Sequence, residues 1–254
     1  MGYILAAIIG WIGGSMVNYL CDVLPYKRRL VLPFCLNCNE VQPWWVHLFW
    51  PRRCSSCDTA RSPRVWIVET LFVASSLWMW SSPPESLGYW VGITLLLYFG
   101  VVVVIDLEHR LILHPVSWAG VFLGLAVGIW LHDLRSTLIG GVVGFGLMFA
   151  LHLFGNLFAR VMTRIRGQKI DEVALGFGDV NLSGVLGLLL GWPGIVGGLV
   201  LAILFGGAVS LFYLLVMFVL RKYQAFTAIP YGPFLITSAI LLLYFQDAIW
   251  IAVP

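Results

Sequence analysis

Eight apolar runs dominate this chain and leave little of it outside a membrane: Ile4–Leu24, Val65–Ser81, Tyr89–Ile105, Pro115–Leu131, Thr137–Ala159, Gly176–Trp192, Ile195–Leu220 and Pro230–Val253. A lipid core needs about 20 apolar residues per helical span. With 60% hydrophobic residues, 11% charged residues and 12 Trp among 254 residues, the composition excludes a soluble domain. The expected fold is an all-α polytopic membrane protein of about eight transmembrane helices. No Lys or Arg precedes the first run, and it ends in a long polar segment rather than a small-residue cleavage site, so it is expected to stay in the mature protein. The chain divides into a first transmembrane helix (1–24), a polar lobe (25–64) and a seven-helix core (65–254).

Charge orients these spans. Lys27, Arg28, Arg29, Arg52, Arg53, Arg61 and Arg64 fall in the first loop, and Arg110, Arg160, Arg164, Arg166, Lys169, Arg221 and Lys222 fall in loops on the same side. Of 15 Lys and Arg, only Arg135 lies on the other face. The positive-inside rule then places the polar lobe in the cytoplasm and both termini outside. The formal charge of +3 describes a basic membrane face that meets anionic headgroups, not a nucleic-acid surface. No internal repeat is evident.

The lobe carries Cys35, Cys38, Cys54 and Cys57, a C-x2-C-x15-C-x2-C pattern. That spacing suits four thiolates on one tetrahedral Zn²⁺. Two disulfides are the alternative, and a cytoplasmic location argues against them. Cys21 lies in the first apolar run and reads as a core residue.

Acids inside spans are costly and usually functional. Asp106 follows the third run and Asp179 lies near the start of the sixth, so topology brings both to the cytoplasmic boundary. Two neighbouring carboxylates in a low-dielectric site share a proton, one serving as base toward water and the other as acid toward a carbonyl. Gly176 and Gly178 flank Asp179 without side chains, allowing close approach of a substrate backbone or a helix. Other readings stay open: an Asp106–Arg110 helix-surface pair, Asp179 as a helix cap, or an ion pathway. Glu108, His109, Asp171 and Glu172 read as solvated border groups, and Glu69 is expected to find a polar partner.

Six ordered segments now form a pattern. Gly14-Ser15-Met16-Val17-Asn18 leads to Leu24-Pro25, then come the cysteine pairs and a Pro63-to-Glu69 entry to the second span. Ile105-Asp106-Leu107-Glu108-His109-Arg110, Gly176-Phe177-Gly178-Asp179 and Ile229-Pro230-Tyr231-Gly232-Pro233-Phe234 complete it. The chain resembles the bacterial type IV prepilin peptidases. The resemblance implies an aspartyl endopeptidase that removes the basic leader of prepilins or pseudopilins at the inner face of the cytoplasmic membrane, in a pilus or type II secretion system. It also implies N-methylation of the new N-terminus with S-adenosylmethionine. Carried over, Asp106 and Asp179 are the catalytic pair, and Cys35, Cys38, Cys54 and Cys57 hold structural zinc. A proton- or cation-coupled transporter and a zinc-clipped scaffold are the competing classes; the cysteine lobe and the lack of an inverted repeat favour the enzyme.

Overall fold

The computed structural model describes residues 1–48, 52–166, 176–220 and 230–246. Among them the chain is helical: α1 (Gly2–Lys27), α2 (Trp44–Leu48), α3 (Arg64–Ser81), α4 (Gly88–His109), α5 (His114–Leu131), α6 (Leu134–Arg166), α7 (Phe177–Leu190), α8 (Gly194–Val219) and α9 (Gly232–Tyr244). Each expected span has its helix, and five of these (α1, α4, α5, α6 and α8) are long and apolar enough to cross a membrane. The final expected span continues to Val253, beyond the described residues, and Asp171 and Glu172 also lie outside them.

The helices form two compact units, Met1–His109 and Arg110–Pro254. In the first unit, α1 lies against α3 and α4. The close α1–α3 contact follows from small residues: a Cβ at Gly10 would fall 2.8 Å from the Phe72 carbonyl oxygen, and one at Gly14 would fall 2.7 Å from the Glu69 Cα. Small residues spaced by a helical turn let backbones approach where lipid supplies no hydrophobic drive for helix pairing.

In the second unit, α7 is the central helix and packs on α5, α6, α8 and α9. Its α6 contact is again built on missing side chains, since a Cβ at Gly140 would fall 2.3 Å from the Gly187 carbonyl oxygen and one at Gly144 would fall 2.4 Å from that of Ser183. Helix α7 has 14 residues and so spans about 21 Å at 1.5 Å per residue, less than the roughly 30 Å of a hydrocarbon core. Asp179 therefore sits close to the level at which the apolar layer begins.

Helix α6 runs to Arg166, further than the expected span to Ala159, so residues 160–166 are helix rather than loop. Neither Gly nor Pro interrupts 156–166, and Arg, Leu and Met are strong helix formers. Exposed Val200, Ile203, Leu204, Leu211, Phe212, Leu215 and Phe218 cover α8 with an apolar surface far larger than a water-facing helix tolerates, as lipid contact requires.

Candidate active site and metal centre

The polar lobe is built from two copies of one turn. In the first, Cys35 accepts from the Asn39 N–H (2.9 Å) and donates its own N–H to the Glu40 carbonyl (2.9 Å). In the second, Cys54 accepts from the Asp58 N–H (3.0 Å) and donates to the Thr59 carbonyl (3.1 Å). Phe34 pairs with Val41 and Arg53 with Ala60 at the base of each turn. Asn39 and Asp58 take φ of 58° and 50°, a left-handed conformation that Asn and Asp tolerate best among residues with a side chain. This local repeat went unnoticed in the sequence because only Cys-x-x-Cys followed by Asn or Asp is common to both copies.

The two turns face each other through sulfur. Cys35 Sγ lies 3.6 Å from Cys57 Sγ, Cys38 Sγ lies 3.5 Å from Cys54 Sγ, and all four sulfurs fall within 4.8 Å of one another. A disulfide requires about 2.05 Å, so these are four free thiols. Four ligands at about 2.3 Å from a tetrahedral metal sit about 3.8 Å apart, which the observed separations match. The four thiols do not ionise alike. Hydrogen bonds from the Thr59 hydroxyl and backbone N–H pull the Cys57 thiol down to about 6. The Glu40 backbone also favours the thiolate at Cys38, but desolvation and the three neighbouring sulfurs outweigh it and push that thiol up to about 12. A divalent cation removes this conflict by making four thiolates compatible. The group can hold a metal ion.

Ion pairs tie the lobe to the helix ends. Arg52, 5% exposed, donates to Glu69 of α3 at 2.9 Å and stacks over the Trp66 ring at 4.7 Å. Ser15 of α1 donates to the other Glu69 oxygen at 2.9 Å, and Asn18 donates to the Val65 carbonyl at 3.1 Å. The Gly14-Ser15-Met16-Val17-Asn18 segment is thus an α1–α3 clasp, and Glu69 has the polar partners expected of it. Arg61 reaches Asp22 at 2.6 Å, while Arg64 bridges Asp22 and Glu108, the latter at 2.5 Å. Glu108 stays exposed, as expected of a border group, and pairs with Arg64 there. Asp22, an acid inside the first span, escaped the sequence reading; its being the single carboxylate of the Ile4–Leu24 run was the available signal.

Asp106 stands in the last turn of α4, 5% exposed, between buried Ile105 and half-buried His109. Arg110 lies beyond the end of this helix with φ of 53°, so the regular i to i+4 spacing that a helix-surface pair relies on is broken there. In the second unit Asp179 is the third residue of α7 and half-buried. Gly176, not Asp179, is the N-cap residue. A Cβ at Gly176 would come 3.3 Å from Asp179 Oδ2, so the absence of a side chain leaves the carboxylate its place over the helix N-terminus. A Cβ at Gly178 would come 2.9 Å from the Ile112 Cβ, which makes the second glycine a packing requirement of the α7 start. The Tyr231 hydroxyl, just before α9, feels the Asp179 charge. Beside this helix start lies an apolar cavity of about 660 Å³ between α5, α6 and α7, walled by Trp118, Phe145 and Phe177 with Asn181 and His114 as polar members.

Fold and site define a multi-pass helical membrane protein with an acid at the end of each of two helices and a thiolate cluster at one helix-joining lobe. A sequence profile of the type IV leader peptidase family matches residues 90–211, a range that includes both acids and excludes the cysteines. Curated relatives match across most of the chain: a "prepilin leader peptidase/N-methyltransferase" of Legionella pneumophila is 28% identical, the alignment covering 90% of this chain and 80% of that protein. Proteins with the same description from Pseudomonas putida (26% identical; 97% and 91% covered) and Myxococcus xanthus (27%; 82% and 62%) are also similar. No solved structure matches. The chain is thus similar to the type IV leader peptidases, a family of aspartic proteases, over residues 90–211 and to their curated relatives over most of its length.

Proposed function

We propose that the chain removes the basic leader from type IV prepilins or pseudopilins at the cytoplasmic border of the membrane and methylates the new N-terminus. The observation that carries the cleavage reading is the setting of the two acids: Asp106 in the final turn of an apolar helix and Asp179 in the first turn of another, both inside the family match. Two helices, α5 and α6, come between them in the chain, and a pair of crossings returns to the side it left. The end of α4 and the start of α7 then share one membrane face, at which positive-inside charge puts the cytoplasm.

In this reading Asp106 and Asp179 act as a pair with one proton between them. The ionised member takes a proton from water as the oxygen attacks the scissile carbonyl, and the protonated member donates to the carbonyl oxygen. Protonation of the leaving nitrogen then releases the new N-terminus, and the pair titrates as a unit. The apolar cavity beside the Asp179 helix gives the hydrophobic segment that follows a prepilin leader a place to lie at the depth of the acid. Zn²⁺ is the metal that suits four thiolates, and its role here is structural, since all four positions are taken by protein. S-adenosylmethionine supplies the methyl group when bound. The test is the mass of a prepilin co-expressed with the chain: leader loss checks the cleavage, and one added methyl checks the transfer. A full-length, unmodified prepilin would overturn both.

A further inference from the structure

Asp106 belongs to the last turn of α4, and a last turn is the weak end of a helix, because its carbonyls lack intrahelical partners and it frays. Arg110 leaves the helix with φ of 53°, so no further turn supports it. Left alone, the turn would pass its motion to the Asp106 carboxyl.

Two contacts from outside α4 hold it. Glu108 Oε2 accepts from Arg64 Nη1 at 2.5 Å, and the His109 ring stands edge-on to Tyr26 of α1 at 5.7 Å. The first contact continues into the rest of the unit. Arg64 Nη2 also donates to Asp22 of α1, which takes a second donor, Arg61 Nη2, at 2.6 Å. Arg61 follows Ala60, which pairs with Arg53 at the base of the second cysteine turn. A line of charge-assisted hydrogen bonds thus runs from the lobe through α1 and the first residue of α3 to the end of α4. Arg64 is the branch point, and a guanidinium suits it, since its nitrogens form a rigid fork that reaches two acids at once. The Glu108 side chain is 37% exposed, so its pair with Arg64 adds little to stability. Its effect is on position, and displacing a catalytic group by about 1 Å lowers a rate by about a hundredfold.

We propose that Arg64 is a positioning residue for cleavage: by bridging Asp22 and Glu108 it fixes the last turn of α4, and with it the Asp106 carboxyl, against the end of α1. The inference rests on the cleavage reading above, in which Asp106 is one of the two acids. Arg64 and Glu108 act through Asp106 and not on the scissile bond.

The experiment is steady-state cleavage of a prepilin by the full chain in nanodiscs, with rates expressed per folded chain. Glu108→Gln should lower kcat about tenfold and leave KM within a factor of about two, because the acid is displaced while substrate contacts are intact. Arg64→Gln should lower kcat at least as much, and Arg64→Gln/Glu108→Gln should be no slower than Arg64→Gln, because both changes remove one link. Ser15→Ala, which loosens the α1–α3 clasp without reaching α4, should keep the wild-type kcat. Wild-type kcat in Glu108→Gln beside an inactive Asp106→Asn overturns the proposal and leaves the cleavage reading standing. Cleavage by Asp106→Asn removes that reading and this inference with it. A Glu108→Gln loss confined to KM also overturns the proposal, since it assigns Glu108 to substrate binding, as does an equal loss of kcat in Ser15→Ala, since general loosening of the unit would then suffice. Should Arg64→Gln misfold, the kcat and KM of Glu108→Gln against Ser15→Ala decide on the same terms.

Discussion

At the third position of α7, Asp179 sits where unpaired N–H groups give a helix its partial positive charge, and Asp106 lies in a final turn, where the sign is reversed. Either Asp→Asn change should abolish leader removal while the protein still inserts, because an amide cannot take up or release the shared proton; mass analysis of prepilin from membranes with normal protein levels checks it. The two glycines make a sharper test. Gly178→Ala pushes a methyl to within 2.9 Å of the Ile112 Cβ, and overpacking of this kind costs about 1–3 kcal/mol. Cleavage should fall in Gly178→Ala and recover in the Gly178→Ala/Ile112→Ala double variant. No recovery would mean that the contact is not what requires glycine. The Gly-x-Gly-Asp string was readable from sequence, but the reason for its second glycine was not, because Ile112 belongs to another part of the chain and only the folded packing brings it close.

Helices α1 and α3 show how much of a clasp can hide inside a charge count. Seven cations in the first loop served in the sequence as a topology signal, yet Arg52, Arg61 and Arg64 turn inward to Glu69, Asp22 and Glu108. Nothing in one-dimensional spacing separates a snorkelling Arg from a buried one; the partner has to be known. Breaking a buried pair by removing one member costs about 3–5 kcal/mol, since the other is left uncompensated. Glu69→Ala should therefore lower the thermal midpoint markedly, and Arg52→Met/Glu69→Met should restore most of the loss. Equal midpoints for the single and double variants would show that the pair is not what stabilises this junction. The convergence of the four cysteines, by contrast, was legible, because two Cys-x-x-Cys pairs at this spacing suit one tetrahedral ion. Metal binding needs four thiolates, so acidification protonates the ligands and releases the ion: lobe stability gained from metal is present at neutral pH and lost as pH falls. Zinc per chain should be close to one at pH 7 and decline on acidification or chelation, with proteolysis between 28 and 64 rising in parallel. A protein without zinc whose lobe resists protease would remove the metal from the account.

For the whole molecule, the number of crossings and the distribution of charge decide which face meets the cytoplasm. Eight helices follow the expected spans, although α7 and α9 are short, and the apolar surface of α8 leaves lipid as its only suitable neighbour. On the proposed topology, eight crossings put both ends of the chain on one side, and the positive-inside rule, applied to fourteen of fifteen cations, puts the lobe on the other. The count was readable because apolar length is a local property. The helical extension to Arg166 was not, because a basic segment leaving a membrane looks the same in sequence whether it is helix or loop. The orientation has a direct test. Alkaline phosphatase, active only outside the cytoplasm, should work when fused after Asp133, between α5 and α6, and fail after Arg61 in the lobe; a fluorescent protein that folds only inside should give the reverse. If α7 did not cross, the parity would change beyond it, and a phosphatase fused after Trp192, between α7 and α8, would be silent. Activity there is the expected result and supports eight crossings. Silence after Trp192 with activity after Asp133 would leave Asp179 on a helix that enters the membrane without crossing it, and the parity argument for the shared face of the two acids would still stand, because it depends only on α5 and α6.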